Sequence, residues 1–168
     1  MTQRQRSKPK ILSPDYLVGL TDGEGCFYSN PRPIDVPRGK QSPVELHFYI
    51  KLRGDHLTLL RKVRKSFGCG VIYHQVEKRI NHSECFRFEI NSQKDIHGVL
   101  LPFFDQHPLQ SPKKKDYQVF RKVALMVKER KHLTEEGLNQ IRKLKTKINL
   151  GARRVWKIRS LGGNAKKR

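Results

Sequence analysis

Residues 44–52 alternate strictly, with Val44, Leu46, Phe48, Ile50 and Leu52 interleaved with Glu45, His47, Tyr49 and Lys51. A period of two sends the first set to one face of an extended strand and the second set to the other. Such a strand needs a sheet covered on one side and wet on the other, as antiparallel sheets commonly are.

The rest of the chain supplies partners for it. Ser13-Pro14-Asp15 combines a cap, a first-turn proline and an acid that complements the helix dipole, predicting a helix over residues 14–23. A strand over 26–30 and a loop bearing Pro31, Pro33, Pro37 and Pro43 precede the alternating segment. After it, Asp55 is expected to cap a helix that buries Leu57, Leu60, Val63 and Phe67 and stops at Gly68. Two strands, over about 70–77 and 84–91, follow; the second alternates Phe86, Phe88 and Ile90 with Cys85, Arg87 and Glu89. Ser92 should cap a helix with Ile96, Val99, Leu100 and Phe103 inside, disturbed near Pro102. Ser111-Pro112 opens a helix burying Tyr117, Phe120, Val123, Ala124 and Val127. Thr134-Glu135-Glu136 opens a last one with Leu138, Ile141, Leu144 and Ile148. The order α-β-β-α-β-β-α-α-α predicts an α+β domain over residues 13–150, with helices on one face of a four-stranded antiparallel sheet. Residues 1–12 read as a flexible basic arm and 151–168 as a basic tail.

Charge decides what the wet face meets. Lys and Arg number 36 against 15 Asp and Glu, a formal +21. Residues 112–168 hold 19 of the basic side chains and only 4 of the acidic ones. A field this strong repels itself and is expected to serve a polyanion, nucleic acid before an anionic membrane. No stretch approaches the roughly 18 apolar residues of a membrane span, and the basic N-terminus lacks the apolar core of a secretory signal. Three cysteines, Cys26, Cys69 and Cys85, are odd in number and suit a reducing compartment. Cys69, His74, His82 and Cys85 contain no close cysteine pair of the kind a zinc site uses.

The segment Tyr16-Leu-Val-Gly-Leu-Thr-Asp-Gly-Glu-Gly-Cys-Phe27 stands out. Gly19 inside a helix costs about 1 kcal/mol relative to alanine, and Gly23 four residues on shares its face. Bare backbone there lets a second helix approach closely. Asp22 and Glu24 crowd the end of the helix where the dipole is already negative, an arrangement favoured when a divalent cation binds. A capped helix whose glycines merely turn the chain is the plainer alternative.

Residues 17–25, LVGLTDGEG, resemble the motif that names the LAGLIDADG homing endonucleases. The element order over about 13–130 also looks like that family, in its single-motif, homodimeric form. The resemblance implies a saddle-like four-stranded antiparallel sheet with extra C-terminal helices. It also implies staggered double-strand cleavage of long, pseudo-palindromic DNA by Mg²⁺-dependent phosphodiester hydrolysis. In such a protein the motif helices of two copies would pack through Leu17, Gly19, Leu20 and Gly23. Glu24 and the Gly23 carbonyl would hold metal, with Lys113 or Lys115, and Arg53, as basic active-site residues. Genes of this kind imply the cytoplasm of a bacterium, or the stroma or matrix of an organelle. An intron RNA maturase or other nucleic-acid-binding protein on the same scaffold is the alternative.

If DNA is the partner, an eight-residue strand of roughly 26 Å spans about eight base pairs. The outward positions Tyr28, Asn30, Arg32, Glu45, His47, Tyr49, Lys51, Tyr73, Gln75, Glu77, Cys85, Arg87 and Glu89 are then the candidate base readers. Lys114, Arg153 and Arg154 are candidate phosphate contacts.

Overall fold

The computed structural model describes residues 11–32, 44–75 and 84–147. The expectations for Glu77, Ile148, Arg153, Arg154, most of the proline loop, the tail and most of the arm lie outside the described residues. The elements run α1 (Pro14–Glu24), β1 (Gly25–Pro31), β2 (Val44–Arg53), α2 (Leu57–Phe67), β3 (Val71–Gln75), β4 (Cys85–Ile90), α3 (Gln93–Asp95), a π-helical turn (Ile96–Leu100), α4 (Leu101–Gln106), α5 (Lys113–Lys128) and α6 (Glu135–Lys145). The strands form one antiparallel sheet in the order β1-β2-β4-β3. The expected α+β architecture and element order are what the chain adopts. It divides into two compact units, Met1–Cys26 with His47–Gln110, and Phe27–Leu46 with Ser111–Arg168.

In the first unit the alternation of β2 holds: Phe48 and Ile50 are fully buried, while His47, Tyr49 and Lys51 are half-exposed. Phe48 pairs with Ile90, and Ile50 with Phe88, so the apolar side chains of both strands share one face. Helix α2 covers that face with Leu60, Val63 and Phe67. Phe67 stacks on Phe88 at 5.8 Å, and Phe48 meets Phe104 edge-on at 5.6 Å. Each such ring contributes on the order of 1.5–3 kcal/mol by burial alone. Gly68 ends α2 at φ +69°, in the left-handed region glycine enters freely.

Three expectations for this unit need correction. Asp55 does not cap α2: it sits in a 3₁₀ turn (Gly54–His56), its carboxylate is taken by Arg53, and the helix starts at Leu57 without a side-chain cap. Leu12, assigned to the flexible arm, donates its backbone N–H to Ser66 Oγ at 2.9 Å. The helical segment after Ser92 buries Ile96, Leu100, Leu101 and Phe104, whereas Val99 and Phe103 are only partly buried. Its phase moves because the π turn just before Pro102 adds a residue to the repeat, as the Leu101 N–H bonds back to Ile96 O. Proline has no N–H to donate, and a π turn ahead of it absorbs the mismatch. Ser92 does cap this segment, accepting the Asp95 N–H.

In the second unit Phe27 of β1 meets Tyr117 and Phe120 of α5 at 5.3 and 5.4 Å. Helix α5 buries Tyr117, Phe120, Val123, Ala124 and Val127 as expected, and Met126 besides. Thr134 Oγ1 caps α6 by accepting the Gly137 N–H. A Cβ on Gly137 would lie 1.9 Å from the Lys131 carbonyl oxygen, so only glycine fits where α6 crosses the preceding 3₁₀ turn (Lys131–Leu133).

Candidate metal and nucleic-acid site

Helix α1 begins as its sequence dictates, Ser13 Oγ accepting the Tyr16 N–H ahead of Pro14. It buries Leu17, Val18 and Thr21. Leu17 is only 2% exposed, so it belongs to the chain's own core and not to a free dimer face. The free stripe is Tyr16 (47% exposed), Gly19, Leu20 and Gly23, at the i, i+3, i+4, i+7 spacing of one helix face.

The three motif glycines differ in kind. A Cβ at Gly25 would sit 2.6 Å from Thr21 Cγ2 and 2.7 Å from its backbone oxygen, so the helix-to-strand turn requires glycine. At Gly19 and Gly23 a Cβ would meet nothing within 4 Å. Their helical cost has no return among the described residues.

The two acidic residues separate likewise. Asp22 accepts the Gln110 backbone N–H at 2.9 Å and fastens the segment between α4 and α5. Glu24 is exposed and has no hydrogen bond or ion pair among the described residues. It stands in the last turn of α1, where no basic residue offsets the dipole.

Glu24 opens onto a recess of about 480 Å³ lined by Lys51, Leu52, Arg53, His56 and Cys85. The sequence assigned Lys51 to base reading. Arg53 was expected near Glu24 and is there, held at 2.8 Å by Asp55, which raises the guanidinium pKa and keeps the Asp55 carboxyl below the usual carboxylate range. His56 was missed altogether. No local pattern marks it, because the foot of α1 meets the end of β2 only through the sheet.

On the polar face of this unit, register pairs Tyr49 with Glu89, Lys51 with Arg87, Arg53 with Cys85, Tyr73 with Arg87 and Gln75 with Cys85. Of the expected base-reading positions, Tyr49, Lys51, Tyr73, Gln75, Cys85, Arg87 and Glu89 therefore lie together. Lys51 and Arg87 are like charges directly opposite each other, an arrangement that destabilises a sheet on its own. Glu89 departs from expectation. It lies on the predicted face, but it is 3% exposed, with His47 Nδ1 at 2.5 Å, Arg87 Nη2 at 2.6 Å and Asn91 Nδ2 at 3.3 Å. A carboxylate so enclosed organises its neighbours and does not reach a base.

The second unit carries the remaining candidates. Tyr28 is exposed; Lys145 Nζ donates to Asn30 Oδ1 at 2.8 Å and lies 5.8 Å from the Tyr28 ring centre. Glu45 accepts from Asn30 Nδ2 at 3.3 Å and pairs with Arg32. Lys113, Lys114 and Lys115 form the first turn of α5, with Lys114 and Lys115 exposed and Lys113 half-buried. Cations at a helix N-terminus oppose the dipole by about 0.3–1 kcal/mol each, a cost that a bound phosphate reverses.

Residues 17–124 match the family model described as LAGLIDADG endonuclease. The chain belongs to that family. It is 31% identical over 134 residues to a probable intron-encoded endonuclease 2 of Neurospora crassa, covering 80% of this chain and 27% of the relative. The chain thus spans about a quarter of the length of the curated relatives it matches. Among solved structures, the homing endonuclease I-TnaI superposes with a TM-score of 0.71 at 34% identity, over 84% of this chain and 91% of that one. I-SmaMI bound to uncleaved DNA target in the presence of calcium ions superposes at 0.70 and 30% identity, over 89% of this chain and 49% of that one.

Proposed function

We propose that two copies of this chain assemble into a homing endonuclease that makes staggered double-strand cuts in a long, pseudo-palindromic DNA target by metal-dependent hydrolysis. The observation that carries this reading is the recess joining the exposed Glu24 carboxylate to Lys51, Arg53 and His56.

A divalent cation suits this donor set. Magnesium takes one or two protein carboxylates and completes its shell with water and phosphate oxygen. Glu24 supplies one carboxylate, and the Gly23 carbonyl belongs to the last turn, where helical partners run out. No group of three or more His, Cys, Asp or Glu among the described residues could enclose a metal alone. A site of this kind is completed by substrate and by a partner subunit. When bound, Mg²⁺ supplies Lewis-acid stabilisation of the phosphoryl oxygens and the leaving 3′ oxygen.

This chain's own residues do the rest. Water attacking a phosphodiester builds negative charge on the phosphoryl group. Lys51 and Arg53 line the recess where that charge would develop and stabilise it electrostatically. Lys113, Lys114 and Lys115 grip backbone phosphate at the start of α5, and the polar sheet face lies along the major groove. The stripe Tyr16, Gly19, Leu20 and Gly23 receives the same stripe of the second copy, which brings two Glu24 carboxylates to one two-fold axis. The neighbours bound to DNA and calcium support the choice of duplex and divalent ion.

The test is incubation of the purified chain with Mg²⁺ and a duplex spanning the uninterrupted insertion locus of its gene. Clean double-strand cleavage that Glu24→Gln abolishes supports the proposal. Tight binding of intron RNA, unaffected by Glu24→Gln and without cleavage, would replace it with a maturase role.

A further inference from the structure

Arg87 is built into the polar face differently from the other basic side chains there. Its guanidinium carbon lies 5.2 Å from the Tyr49 ring centre and 5.8 Å from that of Tyr73, so aromatic rings from β2 and β3 flank it. From β4, Glu89 takes one edge at Nη2, and Glu89 is itself anchored by His47 and Asn91. Nε is buried. The side chain still keeps 31% of its surface, so it remains open to a partner.

We infer that Arg87 reads a guanine in the major groove and that Glu89 is the positioning residue that aims it. Arginine ordinarily loses several rotatable bonds on binding; here the rings and the buried carboxylate have already immobilised them. Two parallel N–H donors in a fixed plane match guanine O6 and N7, and no other base edge offers two acceptors so placed. A phosphate contact needs no such preorganisation, since any long cation reaches it. This assignment rests on the DNA reading proposed above and deepens it by naming one base and the residue pair that selects it.

The experiment is in vitro selection of binding sites from a randomised duplex pool by the wild-type chain, Arg87→Gln, Glu89→Gln and the double variant. The wild type should enrich guanine at one position and its symmetry mate. Arg87→Gln should lower that preference about tenfold or more and shift it toward adenine, whose N6/N7 edge suits an amide, with other positions unchanged. Glu89→Gln should weaken the same position only, and should add nothing in the Arg87→Gln background. Circular dichroism establishes that each variant is folded; if Glu89→Gln is not, Arg87→Gln alone decides. An unchanged preference in Arg87→Gln, or a uniform loss at all positions, overturns the assignment. A wild-type chain that enriches no duplex overturns the DNA reading itself.

Discussion

Replacing Gly19 with alanine should change stability in opposite directions below and above the concentration at which copies pair. Among the described residues of one chain a Cβ at position 19 meets nothing within 4 Å, and the residue lies inside α1 at an exposed site. Alanine there recovers the helix propensity that glycine forfeits, about 1 kcal/mol. For a chain of this length that is a rise of about 2–4 °C in Tm. In a paired state the same methyl would lie between two closely approaching helices and would weaken assembly. Thermal melts followed by circular dichroism at nanomolar and at high micromolar chain concentrations read the two effects separately. Gly25→Ala is the control, because its Cβ would overlap Thr21 at 2.6 Å and must destabilise at every concentration. If Gly19→Ala lowers Tm in dilute solution, the glycine serves the chain's own fold. If it raises Tm equally at all concentrations, nothing packs on that stripe. Either result refutes the reasoning.

Gly137→Ala should cost about 2–3 kcal/mol or more, because its Cβ would fall 1.9 Å from the Lys131 carbonyl oxygen; urea denaturation measures it. His132 is buried between α5 and α6, and burial pushes its imidazole below the ordinary 6.5. The unfolded chain then binds the proton more readily, so this contribution to stability is complete above about pH 6.5 and is lost as pH falls through the folded-state pKa. Urea midpoints between pH 5 and 7.5 should show a steeper acid-side decline for the wild type than for His132→Gln. Duplex binding should fall steeply with salt, and Lys114→Ala should make the logarithmic slope shallower by about one contact, measured by fluorescence anisotropy.

Much of this fold was legible because the decisive signals are local. The alternation of 44–52 became the central strand, and Leu60, Val63 and Phe67 at helical spacing before Gly68 became α2. Ser13 and Thr134 cap as their types suggest. What escaped was set by neighbours distant in sequence. Asp55 had a choice between a cap and Arg53 and took the cation. Glu89 sits at an outward position, yet His47 and Arg87 close over it. The motif pointed to Glu24, but only the sheet brings the end of β2 beside it, which adds Lys51 and His56 to the recess. Nothing in the glycines' spelling separates Gly25, required by Thr21, from Gly19 and Gly23, which face open space.

Mixing wild-type chain with an equal amount of Glu24→Gln, after both are allowed to exchange subunits, and following cleavage of a supercoiled target plasmid interrogates pairing and carboxylate together. Random pairing leaves about half of all particles with one intact Glu24 and one amide, and such particles should nick a single strand, so open-circular DNA accumulates. A mixture that yields linear product alone, at about half the rate of the same total amount of wild-type chain, would mean that cutting does not depend on a Glu24 carboxylate contributed by each of two chains.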